Sequence, residues 1–181
     1  MSTADRHIAL FRGINVGRAK RIAMNDLRAL FADLGYRDVG TVLNSGNVVF
    51  TAGITLEDNA AAIIQAAVES RLGVSARITL LSAETLCRVV DENPVVEKAD
   101  NHSRLIVAFP KDNEHLAQLN YLHDLDFTPE VFAVGPNAAY FWCPNGVLDC
   151  RAMKSAADAL GDNVTTRNWA TVLKLNKLAS G

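Results

Sequence analysis

Apolar positions along the chain fall into short runs and helical repeats. His7-Ile8-Ala9-Leu10-Phe11 reads as a strand that empties into a glycine-containing loop, Gly13 to Gly17, and a basic stretch, Arg18-Ala19-Lys20-Arg21. Leu27, Leu30, Phe31 and Leu34 share one helical face, which predicts a helix from Asp26 to Leu34 with Asn25 as N-cap and Gly35 as stop. Thr41-Val42-Leu43 and Val48-Val49-Phe50-Thr51 flank the turn-forming cluster Asn44-Ser45-Gly46-Asn47 and predict a hairpin. An alanine-rich helix from a Thr55 cap to Leu72, stopped by Gly73, and a strand from Val74 to Leu81 complete a βαββαβ order.

Ser82 is placed to cap a further helix, broken near Glu92 by Asn93-Pro94, and the polar stretch Glu97 to Ser103 resembles a linker. A second series follows: a strand from Leu105 to Phe109, a helix from Glu114 to Leu125, and a hairpin of Glu130 to Val134 with Ala138 to Trp142 around Gly135-Pro136-Asn137. The rest reads as helix, Leu148 to Leu160 stopped by Gly161, then Asn168 to Ala179 after the possible caps Thr165 and Thr166, with no closing strand in the pattern. The predicted fold class is α+β: two ferredoxin-like (alpha-beta plait) half-domains, the second incomplete, with C-terminal helices. The expected domains are 1–96, a βαββαβ unit with its linker helix, and 97–181. Helices are expected on one face of each sheet, and the first and third strands as central antiparallel neighbours.

Composition changes this picture little. With 181 residues, 49% apolar and 21% charged, the chain is long enough and apolar enough to bury a core. Cys87, Cys143 and Cys150 are an odd number without C-x-x-C spacing, so reduced thiols are expected rather than a disulfide framework or a zinc ribbon. The opening residues lack the apolar core of a signal peptide, and no run approaches a membrane span, so the expected location is the cytoplasm, away from any membrane. Charge is uneven: residues 1–40 carry 7 Lys/Arg against 4 Asp/Glu, residues 151–181 carry 5 against 2, and residues 41–150 carry 6 against 14. Two basic ends thus enclose an acidic middle.

Three segments together resemble the bacterial family known as domain of unknown function 1697. They are Phe11-Arg12-Gly13-Ile14-Asn15-Val16-Gly17, Asn44-Ser45-Gly46-Asn47-Val48-Val49-Phe50, and Thr165-Thr166-Arg167-Asn168-Trp169 through Leu173. The resemblance implies a pair of ferredoxin-like plaits in bacterial cytosol and no particular chemistry. The chain departs from the usual pattern at Arg18, where a glycine is common, and at Ala170, where an asparagine is common.

Neither a G-x-G-x-x-G nor a G-K-[ST] ending follows the first strand, so a Rossmann or Walker site is not indicated. Arg12 and Asn15 are nonetheless polar groups that a plain turn does not require, and strand pairing would set them beside Asn44, Ser45 and Asn47. Thr166, Arg167 and Asn168 are expected at a helix start, where unpaired N–H groups and a guanidinium favour an anion. The candidate ligand-binding residues are therefore Arg12, Asn15, Asn44, Ser45, Asn47, Thr166, Arg167 and Asn168, with a small anionic or phosphate-bearing ligand expected in one cleft where Arg12, Asn15, Asn47 and Arg167 converge.

Two other readings remain open. Tyr140 and Trp142 share a strand face that in RNA-binding plaits stacks bases, and with the basic loop Arg18 to Arg21 they admit a nucleic-acid binder, against which stands the absence of the matching motif. An interaction module pairing through a sheet edge or face is the third. No hydrolase or metal-ligand spacing occurs, His115 and His123 lie two helical turns apart, no catalytic dyad is visible, and no cofactor or metal is expected.

Overall fold

A computed structural model describes residues 6–15, 21–53 and 56–181. Val16, Gly17, Arg18, Lys20 and the Thr55 cap lie outside the described residues. The chain divides into two compact units, one of Met1–Leu86 with Lys174–Gly181 and one of Cys87–Leu173, so the boundary expected at 96/97 falls inside the second.

The first unit runs β1 (Arg6–Arg12), α1 (Met24–Asp33), β2 (Arg37–Thr41), β3 (Asn47–Thr51), α2 (Ala60–Leu72), β4 (Arg77–Ser82), and then enters α3 (Ala83–Asp91). Its antiparallel sheet has the order β2-β3-β1-β4, with β1 and β3 as the central pair. The periodicity of α1 places Leu27, Leu30 and Phe31 in the core against Phe11, Val48 and Phe50. Phe31 packs edge-on to Phe50 at 5.2 Å and to Phe11 at 6.2 Å. Helix starts shift slightly. Ala23 rather than Asn25 holds the cap position of α1, and Asn25 accepts instead from the Arg28 side chain within the helix. In α2 the regular turns begin only at Ala60, and Gly73 closes it in the left-handed conformation.

The second unit repeats this order: β5 (Leu105–Pro110), α4 (Asn113–Ala117), β6 (Val131–Val134), β7 (Ala139–Trp142), α5 (Arg151–Leu160), β8 (Val164–Asn168) and α6 (Trp169–Ser180). The helix expected over 114–125 tightens after Ala117 into a 3-10 coil at Gln118–Asp124, and Leu116, Leu119 and Leu122, three residues apart across that junction, all turn inward. The sheet order β6-β7-β5-β8 matches that of the first unit. The plait reading holds, and the second plait has the closing strand its sequence did not reveal. β8 carries Thr-Thr-Arg-Asn at an edge of the sheet, where among the described residues only β5 pairs with it and no apolar alternation is needed. Thr166 and Arg167 thus lie in a strand and not at a helix start, while Asn168 ends the strand at the start of α6.

The expectation of helices on one face alone also fails. Ile8, Ala9, Leu10 and Phe11 are all buried, as are Leu105 to Phe109, so both faces of each sheet are covered. The covering segments come from the trailing helices. From Cys87 onward α3 belongs to the second unit, where Tyr140 Oη donates to the Val89 carbonyl at 2.9 Å. From Lys174 onward α6 belongs to the first, where the Leu178 carbonyl accepts from Arg6 at 3.0 Å and the Leu178 side chain lies over Gly40. Gly40 registers with Val49, and Val49 with Ile8, which identifies the face that α6 covers. Among the described residues, no helix is long and apolar enough to cross a membrane.

Candidate functional site

Antiparallel pairing of β1 with β3 brings the exit of one beside the entrance of the other, with Leu10 opposite Asn47. The β1 exit and the 42–46 turn are then clipped together. Phe11 N–H donates to the Gly46 carbonyl at 2.8 Å. Asn15, at φ 55, donates to the Asn44 carbonyl at 2.5 Å and to the Ile22 carbonyl at 3.1 Å, and its Oδ1 accepts from Ile22 N–H at 2.8 Å. Asn47, fully buried, donates to the Val42 carbonyl at 2.8 Å and to Ser45 Oγ at 2.9 Å. Asn15, Asn44, Ser45 and Asn47 are therefore neighbours, as the sequence predicts, and the side-chain amides of Asn15 and Asn47 are engaged in holding the loops to each other.

Charge enters at the sheet end. Arg12 sits directly opposite Arg77 across β1 and β4, on the face that also carries Leu10, Thr79 and Asn47. Arg77 was not among the residues singled out by sequence, because only the register of β4 brings it to Arg12.

In the second unit, Arg167 sits opposite Val107 on the face shared with the buried Thr165. Its guanidinium donates to Thr165 Oγ1 at 3.0 Å and to the Thr166 carbonyl at 2.7 Å, and burial pushes its pKa down to about 10. Thr166 is exposed on the opposite side of the strand. Asn168 caps α6, accepting from the Thr171 N–H at 2.9 Å and the Thr171 hydroxyl at 2.8 Å.

Other features separate from this set. Tyr140 is fully buried and Trp142 is 7% exposed, so these rings form core and not a base-stacking surface. A cavity of about 400 Å³ in the first unit is lined by Leu34, Tyr36, Ala52, Leu56, Glu57 and Ile63. Burial and, behind it, the Glu57 charge raise the Tyr36 pKa. No group of three or more His, Cys, Asp or Glu suited to a metal ion occurs among the described residues.

Glu130 is a carboxylate that no motif along the chain marks. Its side chain is 6% exposed and accepts from the backbone amides of Ala152 at 2.8 Å and Arg151 at 3.0 Å, at the start of α5. Burial alone would push its pKa up, but these amides outweigh burial and hold it below the usual carboxylate range. Its stabilisation is then complete above the unfolded-state pKa of about 4.3 and is lost as pH falls through the lower folded value. Glu130→Gln is expected to lose about 2 kcal/mol at neutral pH by urea denaturation, a gap that closes below about pH 4. A gap independent of pH would assign Glu130 a purely steric role.

A family model described as "Protein of unknown function (DUF1697)" matches residues 4–140. The fold is similar to that of a solved conserved bacterial protein, SP0830 from Streptococcus pneumoniae, at 23% sequence identity and a TM-score of 0.68, over 96% of this chain and 98% of that one. No curated protein matches the chain.

Proposed function

The chain belongs to the DUF1697 family, whose function is unknown, and from that premise we propose that it binds a small phosphate- or carboxylate-bearing anion through Arg12 and Arg77. The observation that carries this reading is their register: two arginines directly opposite on one sheet face set two cationic side chains side by side, where one anion can accept from both. Thr79 and the buried Asn47 add polar character to the same face, and the clip of Asn15, Asn44 and Ser45 fixes the loop that follows Arg12 at the end of β1. Arg167 is a second candidate donor, in the other unit, with its adjacent Thr166 and Asn168. All these groups are donors or cations, so the reading is one of binding, not turnover.

The test is thermal shift followed by calorimetric titration with inorganic phosphate, pyrophosphate and citrate, against chloride at equal ionic strength. A ligand at 100 times its Kd is expected to stabilise the native state by about 2.7 kcal/mol. Arg12→Ala and Arg77→Ala should each abolish that shift, and Arg167→Ala should leave it intact. Loss only in Arg167→Ala would move the site to the second unit, and no shift with any probe would overturn the reading.

A further inference from the structure

We propose that the cavity of about 400 Å³ in the first unit binds a small free amino acid with an apolar side chain, its ammonium held by Glu57 and its carboxylate by Arg37. This site lies at the other end of the sheet from the Arg12 and Arg77 pair. Thr51, which ends β3 beside the cavity, is in register with Arg6 and Arg37 at the starts of β1 and β2, whereas Arg12 ends β1 and Arg77 starts β4.

Three segments build the cavity: the turn from α1 to β2, the exit of β3 and the entry to α2. The Tyr36 N–H donates to the Phe31 carbonyl at 3.1 Å, and its ring packs on Phe50 at 4.6 Å and on Phe31 at 5.8 Å, so Tyr36 forms a fixed wall. Ala52 and Ala60, each 2% exposed, contribute only methyl groups to the lining. Ile63, three residues after Ala60 along α2, is 41% exposed, so apolar surface on that wall meets water until a ligand covers it. The volume falls in the lower part of the range of about 300–1,000 Å³ in which apolar walls and a few polar groups hold small molecules.

The polar groups choose the ligand. Glu57 and Tyr36 line the cavity, and among the described residues neither side chain has a hydrogen-bond partner. Burial and then the Glu57 charge raise the Tyr36 pKa, so its hydroxyl stays protonated and can donate at neutral pH. Arg37 is exposed, and its Nη2 lies 3.8 Å from the point that a Cβ on the lining residue Gly53 would occupy. It forms no ion pair with Glu57 or with any other described residue. A carboxylate and a guanidinium at one apolar cavity, not paired with each other, match the two charges of a zwitterion. An amine alone would leave Arg37 without a counter-charge, and an acid alone would bring a like charge towards Glu57.

The experiment titrates the full chain with L-leucine, L-methionine and L-phenylalanine, following the NMR signals of the Tyr36 ring and the Ile63 methyls and measuring Kd by calorimetry. Both signals are expected to move saturably with at least one of the three. For the tightest of them, the amide, the acid lacking the amino group, and glycine should each bind at least about tenfold more weakly. Glu57→Gln and Arg37→Gln, at exposed positions where the fold is retained, should each weaken binding by a similar factor, and Glu69→Gln, further along α2 and outside the lining, should not. No saturable movement with any of the three at about 10 mM, ten times a Kd of about 1 mM, overturns the proposal. So does an amide or a deaminated acid that binds as tightly as the amino acid, or binding that survives both Glu57→Gln and Arg37→Gln.

Discussion

Gly46→Val should cost about 2 to 5 kcal/mol in urea denaturation, adding roughly 1 to 2 for a left-handed backbone to roughly 1 to 3 for overpacking. Gly46 has φ +80, and a Cβ there would lie 2.6 Å from Phe11 Cβ and 2.6 Å from Ile14 Cδ1. The Ile14 tip can rotate away, but Phe11 Cβ is fixed by β1, whose Phe11 N–H bonds the Gly46 carbonyl itself. Relief therefore means breaking the clip between the loop and the turn. Gly13→Ala supplies the control: φ is +81 there too, but nothing lies within 4 Å, so only the backbone cost of about 1 kcal/mol should appear. Equal losses at the two sites would show that close approach at Gly46 is not what matters, and chemical shifts of Asn15 should move with Gly46→Val and not with Gly13→Ala.

Phe31→Ala should cost about 3 to 5 kcal/mol, the range for removing a fully buried ring. Phe31 is fully buried in the first unit, where Phe11, Tyr36 and Phe50 surround its ring, at 6.2, 5.8 and 5.2 Å between centroids. Phe31→Leu, which keeps most of the volume, should cost less than half as much. The comparison is made from denaturation midpoints, provided the dependence on urea is unchanged. A small loss in Phe31→Ala would mean that the surrounding rings collapse into the space.

Phe31 was legible because a helix against a sheet leaves a periodic trace: Leu27, Leu30 and Phe31 recur on one face whatever they touch. Pairing of β1 with β3 was legible from topology, and with it the meeting of Asn15 with Asn44. β8 was not, because an edge strand with one partner needs β-propensity and no apolar rhythm, and its Thr-Thr resembles a helix cap equally well. Arg77 escaped notice for a related reason: nothing local marks it, and only cross-strand register sets it opposite Arg12. The covered second face of the first sheet had a trace that the expectation of one-sided helices passed over: the unbroken apolar run from Ile8 to Phe11, which a strand with one wet face would not carry.

The trailing helix of the first unit has a consequence for synthesis on the ribosome. Leu86 ends the unbroken part of that unit, and Lys174, where its remaining piece starts, emerges 88 residues later. At about 5 to 20 residues per second, the nascent first plait waits roughly 4 to 18 s for the strip of helix that carries Leu178. During that interval the surface of Ile8 and Val49 around Gly40 lacks its native cover, and a holding chaperone that recognises extended apolar surface has a defined window in which to act. Ribosome-bound chains arrested before residue 174 should therefore be more readily digested in β1 than released chains are, even though every strand of the first sheet has already been made.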